Sequence, residues 1–323
     1  MADVSHEARA DDGTPITPEP APVLLADVAD ADRSGRNPLA DDPIEDDGRS
    51  TKKPLGITFW LAVAWIGVVA VAGLFSGFLP TDDPNAIDIP SKLLGPFTEG
   101  HILGTDGLGR DILARLVDGA RVSLTVSLTA VAVGMLVGGL LGTLAGFVRG
   151  VFDLFFVAGI NIMLAFPGIV LLLALVSVLE QNLVNISLVI GVLSIPIYAR
   201  VARANSLAVS ERDYVLAARA LGASQKRILF REILPVVLMP LLAFALTALG
   251  VVIVAEGTLA FLGLSVEPPA ATWGSMIAEG RRHDETHLHP VIIPSLALFL
   301  TVLSFNFVGE ALRARFADLD AKV

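Results

Sequence analysis

Apolar side chains run through this chain in six long blocks, about Ile57–Leu79, Val122–Phe147, Val151–Leu179, Leu183–Val201, Ile233–Ala255 and Val291–Ala311. A helix needs about 20 residues to cross a hydrocarbon core of about 30 Å, and every block is long enough to qualify. The pattern predicts an all-α membrane protein with six transmembrane helices. Between the fourth and fifth blocks the texture changes. The 22 residues from Tyr214 to Pro235, YVLAARALGASQKRILFREILP, are polar and basic. Their first half has the spacing of a short amphipathic helix, with Val215, Ala217, Ala218 and Leu221 clustered and Arg219, Gln225, Lys226 and Arg227 facing elsewhere. Gly222 ends that helix, and Pro235 is tolerated in the first turn of the next one.

Composition agrees with the pattern. The chain is 54% hydrophobic and 17% charged, with a mean hydropathy of +0.69, which excludes a soluble domain. It has no cysteine, so disulfides, thiolate catalysis and thiolate metal sites are excluded. The net charge of −10 belongs to one end. Residues 1–50 hold 13 acidic against 4 basic residues, whereas the remainder holds 20 against 19. That acidic segment, rich in Asp, Ala and Pro and without apolar periodicity, reads as a disordered cytoplasmic tail and not as a secretory signal. Residues 51–100 then form the first transmembrane helix and an outer loop, and 101–323 a core of five helices.

Lys and Arg placement sets the orientation. With the N-terminus in the cytoplasm, Lys52, Lys53, Arg149, Arg200, Arg203, Arg212, Arg219, Lys226, Arg227, Arg231, Arg313 and Arg315 all fall inside, while the loop 80–118 is acidic or mixed. Both termini and the 204–232 loop are then cytoplasmic. These bases follow a membrane-side pattern, not a nucleic-acid stripe.

Several residues carry candidate chemistry. Gly134, Gly138, Gly142 and Gly146 form one small-residue stripe, read either as packing within the bundle or as a face for a second subunit. Glu256 interrupts the fifth apolar run; a helix starting at Ile233 places it at the outer end, facing a translocation path or a neighbouring helix, whereas a span shifted outward would bury it, at a cost unless it is paired or hydrated. Asn161, Phe166, Pro167 and Asn306 are further path candidates, with helix packing as the alternative, and Pro167 is expected to kink its helix. His283, His287 and His289 have metal-ligand spacing, but Arg281 and Arg282 beside them oppose a cation, so no metal is assigned. No phosphate-binding G-x-x-x-x-G-K-[ST] motif and no protease motif occurs, so no catalytic residue is assigned.

The segment 214–235 resembles the EAA loop of ABC importer permeases, in which Glu-Ala-Ala is followed by three residues, Gly, and a hydrophobic-Leu-Pro ending. Ala217, Ala218, Gly222, Leu234 and Pro235 fit; Leu216 stands where the family has Glu, and Glu232 where it has Ile. HILGTDGLGRDILARLVDGARVSL (101–124), AEGTLAFLGLSVEPPAATWGSMI (255–277) and PSLALFLTVLSFNFVGEALRARFADLD (294–320) are similar to the C-type permeases of dipeptide and oligopeptide importers. The resemblance implies a type I importer permease fold with a cytoplasmic coupling helix. It implies an ATPase-coupling loop of Asp213, Tyr214, Leu216, Ala217, Ala218, Arg219, Ala220, Leu221, Gly222 and Ala223, with Ile233, Leu234 and Pro235. Its expected partners are a second, homologous permease, two ATP-binding cassette domains that carry ATP and Mg, and an extracytoplasmic substrate-binding protein that meets the outer loops 80–118 and 257–288. The chain itself is expected to bind no cofactor, and the cargo to be a peptide. A nickel-import permease of the same superfamily is the near alternative. An ion-coupled secondary transporter is the distant one, and it would need internal repeats that are not apparent here.

Overall fold

The computed structural model describes residues 56–79, 81–283 and 286–320; the acidic tail and the Lys52–Lys53 pair lie outside them. The described chain is helical: α1 (Ile57–Leu74), α2 (Ile112–Val148), α3 (Gly150–Ala165), α4 (Gly168–Val178), α5 (Leu183–Ser210), α6 (Asp213–Ala220), α7 (Gln225–Phe261), α8 (Trp273–Gly280) and α9 (His289–Asp320). Helices α1, α2, α5, α7 and α9 are each long and apolar enough to cross a membrane. Their outward faces carry large apolar side chains such as Trp60, Leu136, Val251 and Phe299, as expected for lipid contact.

The third apolar block is not one straight helix. It breaks into α3 and α4 at an angle of 82°. Phe166 is extended (φ −83°, ψ 137°), as the residue before a proline must be, and Pro167 (φ −57°, ψ 115°) follows it. Two consecutive non-helical residues turn the expected kink into a corner. The pair still crosses the bundle. At its start Arg149 donates to Glu211 (3.0 Å), beside α6, and just past its end the carbonyl of Gln181 accepts from the Glu267 amide (3.1 Å) at the far end. The chain therefore traverses the bundle six times.

Helices α2, α5, α7 and α9 run beyond their apolar blocks, whereas α1 stops at Leu74, short of the expected Leu79. Helix α2 starts at Ile112, where the Asp111 carboxylate accepts the Ala114 amide at 2.8 Å. Helix α5 starts after Asn182, whose side chain caps the Asn185 amide at 2.8 Å, and runs to Ser210. Helix α7 begins at Gln225 and continues past Ala255 to Phe261, and α9 reaches Asp320. In these four, backbone hydrogen bonding continues through polar residues where neighbours accommodate them, so apolar length underestimates helix length.

The glycine stripe packs inside the chain. A Cβ on Gly134 would lie 2.8 Å from the Tyr198 ring, one on Gly142 would overlap the Ala199 carbonyl, and one on Gly146 would lie 2.7 Å from the Arg203 carbonyl. The stripe is the contact of α2 with α5, so the reading in which it faces a second subunit is corrected. Trp65 on α1 donates to Thr301 on α9 at 3.0 Å and closes the bundle on that side.

Candidate functional site

Helix α6 sits between the ends of α5 and α7. Its eight residues contain three alanines, which favour helix and leave little bulk. It ends in a Schellman turn: the Ala223 amide donates to the Ala218 carbonyl and the Gly222 amide to the Arg219 carbonyl, both at 3.1 Å. Gly222 takes φ +79°, a left-handed conformation in which a Cβ is strained, although nothing lies within 4 Å of where that Cβ would be. The chain turns back through Ser224, whose hydroxyl accepts the Arg227 amide at 3.4 Å, into α7.

One face of α6 is anchored. Val215, Ile228 and Ile233 are fully buried, and Ala218 and Ala223 pack against the same core. The other face is open. Ala217, Arg219, Ala220 and Gly222 are exposed, Leu216 is 47% exposed, and Leu221 is 88% exposed. The exposure of Leu221 corrects its expected place in the apolar cluster: the helix stops at Ala220, so Leu221 leaves the helical register as the C-cap. Leu216 and Arg219 line a hollow of about 570 Å³ with Phe147, Val148 and the Arg149–Glu211 pair. Asp213 is exposed and Tyr214 half-buried at the start of the helix. Ile233, Leu234 and Pro235 belong to α7, and the turn Ile228–Ile233 packs on α6. The bidentate pair Arg203–Asp153 (2.5 and 2.6 Å) ties the adjoining end of α5 to α3.

The path candidates are not gathered into one place. Asn161 is exposed and accepts from Arg200 at 3.1 Å, linking α3 to α5. Phe166 and Pro167 are exposed at the corner between α3 and α4. The Asn306 amide donates to its own helix at Val302 (2.8 Å) and packs against Gly250 on α7. Glu256 faces neighbouring elements, one of the two readings of its position. It lies five residues before the end of α7, 1% exposed, accepting from Ser265 at 2.8 Å and from Ser123 at 3.1 Å. Its place is a buried junction of α2, α7 and the segment leading to α8, near the outer-loop end of α7.

The far end holds a network that sequence reasoning did not find. Asp106 accepts from Arg110 at 2.7 Å and lies 3.6 Å from Arg115, while Glu279 on α8 accepts from Arg110 and, at 3.2 Å, from Arg115. The partners are separated by up to 169 residues, so no local pattern announces them. Trp273, fully buried, donates to the Leu116 carbonyl at 3.0 Å and fixes α8 on α2.

The histidine trio does not converge. His289 donates to the Thr105 carbonyl (3.2 Å), His287 meets the Thr286 hydroxyl (3.0 Å), and His283 lies against Gly107. A different set, Asp82, His101 and Asp111, brings ligand-type atoms within 4.8 Å of one another. Asp111 is already committed there, capping α2 and bonding His101 at 2.9 Å.

Residues 138–318 match the sequence family described as binding-protein-dependent transport system inner membrane component. The glutathione transport system permease protein GsiD of Pectobacterium atrosepticum is 38% identical over 246 residues, covering 76% of this chain and 81% of that protein. Proteins of the same name from Escherichia coli (strain 536) and Shigella boydii are each 37% identical over 253 residues, covering 78% of this chain and 83% of theirs.

Proposed function

The chain belongs to the family of binding-protein-dependent transport system inner membrane components, as a permease of the dipeptide/oligopeptide ABC importers, and from that membership we propose that α6 is the helix through which separate ATPase subunits drive it. It is a multi-pass membrane transport subunit and not an enzyme, and the membership sets aside ion-coupled secondary transport. The observation that carries the coupling reading is the construction of α6. It is a short helix locked at its C-terminus by Gly222, anchored through Val215, Ile228 and Ile233, and open on its opposite face.

The mechanics follow from continuity. Helix α7 runs without a break for 37 residues, about 55 Å at 1.5 Å per residue. A push on α6 is received by the π-helical stretch Ile228–Ile233 within α7, and α7 carries Glu256 near its far end. Closure of two ATPases on ATP and Mg, bound in those partner subunits, thus tilts a rigid element that reaches the opposite membrane face. Leu216, in place of the family's Glu, adds an apolar wall to the hollow beside α6, so this contact with the ATPase is a packing contact and not an ion pair.

In this reading α6 and both termini are cytoplasmic, supported by Arg149, Arg212, Arg219, Lys226 and Arg227 at the α6 end. A second, homologous permease completes the path, and a substrate-binding protein docks at the far end on the loops 80–118 and 257–288. The cargo is a short peptide. Relatives named for glutathione, itself a peptide, support that class over nickel.

The test is Gly222→Asp in reconstituted vesicles. A Cβ at φ +79° strains the turn and a carboxylate stands on the docking face, so ATPase association weakens or ATP turnover uncouples from uptake. Normal coupled uptake in this variant rejects the assignment of α6.

A further inference from the structure

A cleft of about 410 Å³ opens at the end of the bundle opposite α6, between the first turns of α2, the start of α5 and the segment after α7. Its volume lies within the range of small-molecule sites, about 300–1,000 Å³. Val122 and Leu183 supply apolar wall, and Asp118, Arg121 and Glu267 supply charge. Arg121 and Glu267 are exposed, and Asp118 is half-buried.

The three charges do not satisfy one another. Among the described residues the Arg121 guanidinium and the Glu267 carboxylate make no hydrogen bond or ion pair; the Asp118 carboxylate makes none either, although buried Arg115, one turn earlier, acts on it at longer range. Asp118 and Arg121 stand three apart on one helix, a spacing that permits pairing, yet they remain separate. A lone exposed charge is well solvated and says little. Unpaired charges of both signs around one recess, with an apolar wall between, complement a ligand that carries opposite charges at its two ends. Arg121 offers a planar fork for a carboxylate, and Asp118 and Glu267 accept from an ammonium. The balance of one base to two acids adds a sign. A peptide with one ammonium and one carboxylate fits it, and a peptide with a further base fits better. Glutathione has two carboxylates and one ammonium, so one carboxylate faces the acids without a partner.

We propose that this cleft, on the reading of the chain as a peptide-importer permease, is a substrate subsite that receives the charged ends of short peptides and favours neutral or basic ones over glutathione. It lies where cargo released from a binding protein at the far end would meet the permease.

The absence of native cysteine allows a direct test. Asn85, exposed at the rim, is replaced by Cys in the full complex in vesicles, and labelling by a membrane-impermeant maleimide is followed with increasing trialanine or S-methylglutathione. Thr125→Cys, on another wall, is the second probe should Asn85→Cys fail to assemble. Trialanine is expected to protect the cysteine at about three- to tenfold lower concentration than S-methylglutathione, the scale of one or two exposed charge contacts. Adding Arg121→Gln is expected to raise the trialanine concentration needed by a similar factor. Equal protection by the two ligands, or protection unchanged by Arg121→Gln, overturns the subsite. Uptake of trialanine in the same vesicles separates the two levels: import without protection overturns the subsite alone, and no import by the parent complex overturns the peptide reading on which it rests.

Discussion

Replacing Glu279 by Ala unbalances the charge network that holds α8 on α2. Two guanidiniums and two carboxylates form a neutral set, with the Arg115 side chain 2% and the Arg110 side chain 8% exposed. Without Glu279, one positive charge in that set has no partner. Breaking a fully buried pair costs about 3–5 kcal/mol. The Glu279 side chain is 33% exposed, so water reaches part of the vacated space and a loss of about 2–3 kcal/mol is expected. At roughly 2–4 °C per kcal/mol, thermal unfolding of the purified complex should shift down by roughly 4–12 °C. Glu279→Met combined with Arg110→Met removes one charge of each sign and leaves Arg115 beside Asp106. This double variant should therefore unfold above Glu279→Ala. The buried part of the effect should persist at high salt, which screens only solvated pairs. A Glu279→Ala complex that unfolds with the parent, or a difference that vanishes in high salt, would show the network to be a solvated surface cluster.

Two further expectations concern packing. Gly142→Val places a branched side chain where a single Cβ already overlaps the Ala199 backbone; overpacking of this kind costs about 1–3 kcal/mol, and the variant should show lower yield and lower thermal stability than the same change at Gly159, where nothing lies within 4 Å. Glu256→Ala leaves the Ser123 and Ser265 hydroxyls without their acceptor, at about 1–3 kcal/mol for each buried group left unmatched. Glu256→Gln keeps one acceptor, so the order of unfolding temperatures should be parent, Gln, then Ala, and an Ala variant as stable as the parent would remove Glu256 from its bracing role.

How far the sequence could be read depended on the range of each interaction. The five unbroken spans were legible because their apolar blocks are long, but their ends were not: α2 begins ten residues before Val122 because Arg115, in its first turns, finds Glu279 and Asp106. Pro167 signalled a disturbance, yet the 82° corner depends on Phe166 also leaving the helix. The four-residue glycine period announced a close helix contact without naming the partner, since Ala199 and Arg203 lie on another helix. The short helix and its glycine stop were visible locally, because a Schellman turn is built from neighbouring residues. The Arg110–Glu279 and Ser123–Glu256 contacts span 169 and 133 residues, and the burial of Glu256 follows from the second of these and from Ser265.

The central claim is that α6 is a cytoplasmic docking helix for an ATPase. Leu221, 88% exposed beside Gly222, is the place to test it in a chain without native cysteine. Leu221→Cys in the intact complex should cross-link to an ATPase subunit, with a yield that changes on ATP binding, and should resist an impermeant maleimide added from outside the cell. Labelling of that cysteine from outside, or cross-linking to the substrate-binding protein instead, would contradict the account.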